Sequence, residues 1–127
     1  MAILSILASV VLPYAELTVK RTKELALRQE LRDLRRAIDQ YKENVEKGVY
    51  GPRQPGDSVY PKTLQVLVEK RLLRKVPLNP FTQLTDWKTR STTDPLNGNP
   101  ASDGKDVFDV FMDSQDKGLD GTAYHTW

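Results

Sequence analysis

The stretch that decides the fold is residues 27–45, which read LRQELRDLRRAIDQYKENV. Its apolar side chains recur at steps of four, three, four, three and four residues, so they share one face of an α-helix while charged side chains fill the others. No Gly or Pro interrupts residues 14–47, and Gly48 supplies a stop signal. The sequence therefore predicts an amphipathic helix over 14–47. Its predicted buried face consists of Leu27, Leu31, Leu34, Ile38, Tyr41 and Val45.

Upstream of this helix, residues 1–12 are apolar apart from two serines, and Pro13 follows them. The run is shorter than the ~20 residues that span a bilayer, and it lacks the basic region and cleavage site of a secretory signal. Two interpretations remain, a core helix of a soluble protein or a membrane segment whose beginning is missing. Because the chain starts inside the apolar run, we expect residues 1–13 to be a truncated membrane or filament-core segment. Its predicted core residues are Ile3, Leu4, Ile6, Leu7, Val10, Val11, Leu12 and Pro13.

Downstream of Gly48, the sequence predicts the remaining elements of a small head. Pro61 is a favourable first residue for a second helix, expected over 61–75, and strands are expected at 84–90 and 107–112, with a last extended piece at 123–127. A loop rich in Asp, Pro, Asn and Gly is expected over 92–104. The predicted fold is α+β, a head over 14–127 in which the antiparallel sheet of 84–127 packs on the long helix. The other predicted head-core residues are Leu64, Leu67, Phe108 and Val110.

Composition narrows the function classes. A chain of 127 residues with 39% hydrophobic content favours one compact domain. The net charge of +2 does not favour nucleic-acid binding, and the absence of cysteine excludes disulfides, zinc ribbons and thiol nucleophiles. His125 is the single histidine of the chain. The sequence contains neither a nucleophile-elbow motif nor a glycine-rich phosphate-binding loop, so we expect that the protein is not an enzyme.

Charge is unevenly distributed along the chain. Residues 20–36 are rich in Lys and Arg, whereas the residues after 102 are rich in Asp. A basic stem and an acidic tip fit a stem that lies near anionic headgroups or a neighbour's acids. Ordinary solvated faces on both segments are the alternative.

Three stretches resemble type IV pilins and, more specifically, the major pseudopilin of type II secretion systems. Residues 1–13 resemble the second half of the hydrophobic N-terminal segment. Tyr60-Pro61 with the following leucines and VPLNPFT at 76–82 resemble the second helix and its turn, while FDV at 108–110, GLDG at 118–121 and Trp127 resemble the last strands and loop. The family's leader, cleavage site, N-methylated Phe and buried Glu lie upstream of the resemblance and match no residue of this chain.

The resemblance implies a single-pass subunit of the bacterial inner membrane with its head in the periplasm. Such subunits are stored in lipid and polymerise with copies of themselves, with other pilin-like subunits and with inner-membrane assembly proteins. The expected function is a pseudopilus subunit for protein export. The alternatives are a type IV pilus subunit for adhesion, motility or DNA uptake, and a membrane-tethered calcium- or protein-binding module that does not polymerise.

The loop over 113–120, DSQDKGLD, is the candidate metal site. Calcium takes six to eight oxygen ligands, which carboxylates and hydroxyls can supply, although Asp in loops more often caps turns. Major pseudopilins often bind calcium in this loop, so the resemblance implies Ca²⁺ as the one expected cofactor. The predicted ligands are Asp113, Ser114, Asp116 and Asp120.

Overall fold

The computed structural model describes residues 2–93 and 104–127, with the side chains of the first helix described from residue 15 onward. A long helix α1 (Ala2–Glu46) is followed by a short helix α2 (Leu64–Glu69), strands β1 (Lys88–Arg90) and β2 (Asp109–Phe111), and a 3-10 turn (Tyr124–Thr126). The α+β layout predicted from the sequence is confirmed. Most of the predicted loop over 92–104, and the side chains of the predicted membrane segment, lie outside the described residues.

Helix α1 ends close to the predicted boundary, through a hydrogen-bonded cap at Gly48. The amide of Gly48 donates to the carbonyl of Val45 at 3.1 Å, and the amide of Val49 donates to that of Asn44 at 3.0 Å. This pair of bonds is a Schellman motif, which requires a left-handed residue at its centre. Gly48 supplies it with φ 75°, because glycine has no Cβ to obstruct that conformation.

Helix α2 is shorter than the predicted span of 61–75. Pro61 is buried in the chain before the helix, and Thr63 takes the N-cap position in an extended conformation. At the other end, the amides of Arg71 and Leu72 donate to the carbonyls of Val68 and Leu67, which repeats the Schellman pattern. Arg71 occupies the left-handed position with φ 60°. Since this position normally selects glycine, nothing in the sequence indicated so early an end.

The sheet is a two-stranded antiparallel ribbon in which Lys88 faces Phe111 and Arg90 faces Asp109. Both strands are shorter than predicted, and β2 packs on α1. The extended piece expected at 123–127 instead forms the 3-10 turn, and Ala123 alone pairs with Lys117 in an isolated bridge.

The core lies between α1 and β2, as the apolar stripe requires. Most of the predicted core residues are buried, and Tyr41 and Leu64 pack against the core at its edge while Val45 is half-buried. The buried members of the predicted set are Leu27, Leu31, Leu34, Ile38, Leu67 and Val110.

Phe108 was predicted in the core, and this assignment is wrong. Its side chain remains 49% exposed and packs edge-on against the ring of Tyr60 at 5.2 Å. Phe108 lies just before β2, which begins at Asp109. Val107 is buried before the strand instead.

Candidate functional site

Polar side chains of α1 bind the C-terminal segment 109–127 and position the loop in which the metal site was predicted. The first of them is Glu24, which is buried although it carries a carboxylate. Its Oε1 accepts hydrogen bonds from the amide of Leu119 at 2.9 Å and from the hydroxyl of Tyr124 at 2.8 Å. Burial, and then the hydrogen bond to Glu24, raise the pKa of Tyr124 to about 12. The pair therefore persists with Tyr124 as donor over the physiological pH range.

Arg28 makes the second connection, one helical turn beyond Glu24. Its guanidinium lies 3.8 Å from the ring centroid of Trp127, and its Nη2 donates to Oδ2 of Asp120 at 3.1 Å. The indole nitrogen of Trp127 donates to Oγ1 of Thr122 at 2.6 Å. Gly118 lies directly against this ring, and a Cβ there would come within 2.4 Å of it. The sequence needs glycine at 118 because any side chain would displace Trp127.

Arg35 makes the third connection, to the strand β2 itself. Its Nε donates to Oδ1 of Asp109 at 2.8 Å, and its Nη2 donates to the main-chain oxygens of Val110 at 3.1 Å and Trp127 at 2.5 Å. A guanidinium can bind all three because its donors point in several fixed directions. The three connections fix both ends of the segment 109–127 on one face of α1.

The predicted calcium ligands lie close together in sequence, and several of their oxygens accept hydrogen bonds that fold the loop. Ser114 accepts from the amide of Asp116 through its hydroxyl at 3.2 Å, and its carbonyl accepts from the amide of His125 at 3.2 Å. The carbonyl of Asp116 accepts from the amide of Tyr124 at 2.9 Å. The side chains of Asp113 and Asp116 are exposed.

Asp120 is occupied by other partners in this arrangement. Its Oδ1 accepts from the hydroxyl and the amide of Thr122, at 2.6 and 2.9 Å, while Oδ2 binds Arg28. Hydrogen bonds from Thr122, with the charge of Arg28, lower the pKa of Asp120. Among residues 2–93 and 104–127, no three His, Cys, Asp or Glu side chains converge as metal ligands would. As arranged, the loop is not a formed cation site, and calcium binding stays a prediction.

Asp106 is a second buried carboxylate, outside the predicted site. It accepts hydrogen bonds from the hydroxyl of Ser58, from the hydroxyl of Ser91 at 3.0 Å, and from the amide and hydroxyl of Thr92 at 2.9 and 2.8 Å. Burial by itself would raise the pKa of Asp106, but these hydrogen bonds outweigh it and lower the pKa. The carboxylate thus joins three separate stretches of the head.

A groove of about 910 Å³ opens between the first described side chains of α1 and the head. Its lining combines apolar side chains with charged side chains of both signs. The apolar lining residues are Ala15, Val19, Phe81, Met112 and Tyr124. The charged lining residues are Glu16, Lys20 and Lys23 on α1, and Asp113, Asp116 and Lys117 on the head.

Sequence reasoning missed Glu24, although a signal for it was present. Residue 24 precedes Leu27 by three positions and so continues the spacing of the buried stripe toward the N-terminus. A carboxylate at a stripe position needs hydrogen-bond donors if it is buried, which points to a partner elsewhere in the chain. Asp106 gave no comparable signal, because its partners come from distant loops.

Comparison with protein-family models, characterised proteins and solved structures finds no match for this chain. Within the part of the chain that the structure describes, no helix combines the length and apolar content needed to cross a membrane.

Proposed function

We propose that this chain is a non-enzymatic filament subunit of the pseudopilin kind, whose polymer drives the export of proteins through a type II secretion system. The proposal starts from the resemblance of residues 1–13, 60–82 and 108–127 to the major pseudopilin. One structural observation carries it further. Helix α1 extends over 45 residues, whereas the buried side chains among those described begin at Glu24.

The described side chains before Glu24 support a role in assembly. Residues 15–19 are all exposed, and Leu17 and Val19 each leave 53% of their surface in solvent. An exposed apolar stretch on a helix that continues into an apolar segment finds favourable surroundings in lipid or against copies of the same helix. The same chain could therefore be stored in a membrane and later packed into a polymer.

In this proposal the subunit is held in the bacterial inner membrane with its head in the periplasm. Its partners are copies of itself, other pilin-like subunits, the inner-membrane assembly proteins of the secretion system and membrane lipid before assembly. Calcium, if bound, would use the oxygens of the loop over 113–120 and supply positive charge between Asp113 and Asp116. No nucleic acid and no catalytic step is part of this function.

Deletion of the gene in its own cell, followed by complementation with the full chain, tests the proposal. We expect folded export substrates to accumulate in the periplasm on deletion, and negative-stain images of envelopes that overproduce the chain to contain filaments. Loss of surface filaments with normal export would indicate a type IV pilus subunit instead. Overproduction without any filament would indicate a tethered module that does not polymerise.

A matched pair of variants links the filaments to α1. Leu17→Asp changes an exposed apolar residue within the stretch proposed to be covered in the polymer, and Leu78→Asp changes one that is 47% exposed on the head. We expect both variants to melt like the parent protein, because neither side chain is buried. Only Leu17→Asp should abolish filaments, and equal filament yields for the two would contradict the role assigned to α1.

A further inference from the structure

We propose that one exposed face of α1 rests on the surface of a membrane that contains anionic phospholipids. The inference goes beyond the filament and rests on the membrane-stored state of the proposed function. It names the headgroup chemistry that the stored subunit recognises and the side chains that recognise it. The order of charges along α1 carries it, together with the unpaired arginines of that face and the exposed leucines between them.

A line of exposed side chains runs along α1 at steps of three and four residues, and so occupies a single face of the helix. This outer line consists, in chain order, of Leu17, Arg21, Leu25, Arg28, Arg32, Arg36, Asp39, Glu43 and Glu46. Its charge changes sign once, because the charged members are arginines up to residue 36 and acids from residue 39 onward. The basic part is the one nearer to the apolar residues 1–12.

Most arginines of the outer line carry a charge that the described part of the chain does not compensate. Within residues 2–93 and 104–127, Arg21 and Arg36 form no salt bridge. Arg32 donates to the side-chain oxygen of Gln29 at 3.1 Å, which is a neutral acceptor. Arg28 has an acidic partner on the head. Two acids of the line, by contrast, pair with lysines four residues away. The basic part therefore offers its positive charge to a partner outside the chain.

Exposed leucines alternate with these arginines, and this composition favours a lipid surface as the partner. Leu17 is 53% exposed and Leu25 is 63% exposed. The interface of a bilayer accepts leucine side chains among its acyl chains while arginines reach the phosphates above them. The phosphate backbone of a nucleic acid would leave the leucines in water. Because α1 continues into residues 1–12, which are apolar apart from two serines, a membrane also fits the line better than a soluble acidic protein does.

The length of the basic part requires α1 to lean onto the membrane surface. Arg21 and Arg36 lie roughly 22 Å apart along the helix, at about 1.5 Å per residue. At physiological salt, charges are screened beyond about 8 Å. On an upright helix, Arg36 would therefore lie outside the field of the headgroups that Arg21 reaches. A leaning helix brings both to the phosphates, and each arginine there strengthens binding about fivefold. The same headgroups repel the acids from Asp39 onward, so the contact ends there.

Fluorescence quenching in lipid nanodiscs tests the contact on the full chain, which has no cysteine of its own. Leu25→Cys carries a fluorophore on the outer line, and some phosphatidylcholine of the discs carries a spin label on its headgroup. We expect the headgroup to quench the fluorophore several times more strongly when the discs also contain phosphatidylglycerol, and high salt to remove the increase. Val49→Cys, at a 62% exposed site beyond the end of α1, is the control and should show no increase.

Two triple variants in the Leu25→Cys background assign the effect to the arginines. The test variant removes three charges from the outer line, through Arg21→Gln, Arg32→Gln and Arg36→Gln. The control variant removes three exposed charges outside α1, through Arg53→Gln, Lys62→Gln and Arg74→Gln. Both should melt like the parent protein, because every changed side chain is exposed. The increase caused by phosphatidylglycerol should fall by about fivefold or more in the test variant and persist in the control. Equal increases in the two variants would overturn the proposal.

The outcomes separate this contact from the proposed function. Co-elution of the chain with discs of phosphatidylcholine alone reports membrane insertion, on which the stored state depends. Co-elution without the increase in quenching overturns the contact and leaves the proposed function standing. The increase without co-elution supports the contact and overturns membrane storage, and the absence of both overturns both. If the parent chain shows no increase but retains a duplex DNA that the test variant releases, the outer line binds nucleic acid and the proposal is wrong.

Discussion

The carboxylate of Glu24 accepts a hydrogen bond from the hydroxyl of Tyr124 at 2.8 Å, across a separation of 100 residues in the chain. Both side chains are buried. The bond therefore joins α1 to the 3-10 turn at the end of the head through two buried side chains. It also holds the loop over 113–120 in position, because the same carboxylate binds the amide of Leu119.

Replacement of this carboxylate should weaken the whole head. Glu24→Ala leaves the part-buried amide of Leu119 and the buried hydroxyl of Tyr124 without their acceptor, which costs about 1–3 kcal/mol of unfolding free energy. Glu43→Ala is the control on the same helix, since the ion pair of Glu43 with Lys47 is exposed. Urea unfolding should give a loss below about 0.5 kcal/mol for the control. Similar losses for the two variants would contradict the role given to Glu24.

The raised pKa of Tyr124 makes the stability of the head depend on alkaline pH. In the unfolded chain the phenol loses its proton near its ordinary pKa, while in the folded protein its pKa is about 12. Proton release then favours the unfolded state, so the stabilisation is complete below about pH 10 and falls as the pH rises toward the folded pKa. We expect the difference in unfolding free energy between the parent protein and Tyr124→Phe to shrink over that interval. A constant difference would refute the assignment.

The buried face of α1 gives a sharper contrast in stability. Leu34 is fully buried, so Leu34→Asp places an unpaired carboxylate in the core and should cost more than about 4 kcal/mol or prevent folding. Arg32→Ala, on the exposed face two residues earlier, should change the free energy of unfolding by about 0.5 kcal/mol or less. Thermal melts of both variants check this, and equal shifts would show that the face is misplaced.

Deletion of residues 1–12 should leave a folded and monomeric head. The described side chains of α1 become buried only from Glu24 onward, so the deleted residues precede every buried side chain that the structure describes in the helix. Circular dichroism should retain a cooperative melt, and sedimentation should give a monomer. Loss of the cooperative transition would assign the apolar segment to the core of the head.

Calcium binding at the loop over 113–120 predicts a metal-dependent melting temperature. An ion that binds only the folded state at ~1 mM to a ~10 µM site adds about 2.7 kcal/mol, which raises the melting temperature of a small domain by several degrees. Asp116→Ala should abolish the increase, while Asp39→Ala, at an exposed site on α1, should retain it. Superimposed melting curves in calcium and in EDTA at low salt would exclude the site.

Local patterns in the sequence predict the parts of the fold that depend on interactions between residues close in the chain. The spacing of the stripe from Leu27 to Ile38 determines which face of α1 is buried, and Gly48 determines where the helix ends. The C-terminal end of α2 was predicted too late in the chain, because Arg71 occupies a left-handed backbone conformation that sequence patterns associate with glycine. Phe108 was misplaced because its ring packs against Tyr60, a distant partner that no local pattern indicates.

The candidate site depends on contacts that a linear pattern does not contain. The loop of aspartates was visible in the sequence, but the partners that occupy Asp120 were not. Arg28 meets Asp120 across 92 residues, and Arg35 meets Asp109 across 74. Such pairs arise when the chain returns to its first helix. The one signal of such contacts was Glu24, a charged residue at a stripe position, and sequence reasoning missed it.

The three connections from Glu24, Arg28 and Arg35 also determine how the protein would resist a mechanical load. They lie at successive levels of one helix and all reach the same C-terminal segment. A pull along the axis of α1 loads them together in shear, so that they share the force. A pull at right angles to the helix would peel the segment away one contact after another, and should separate it at a lower force.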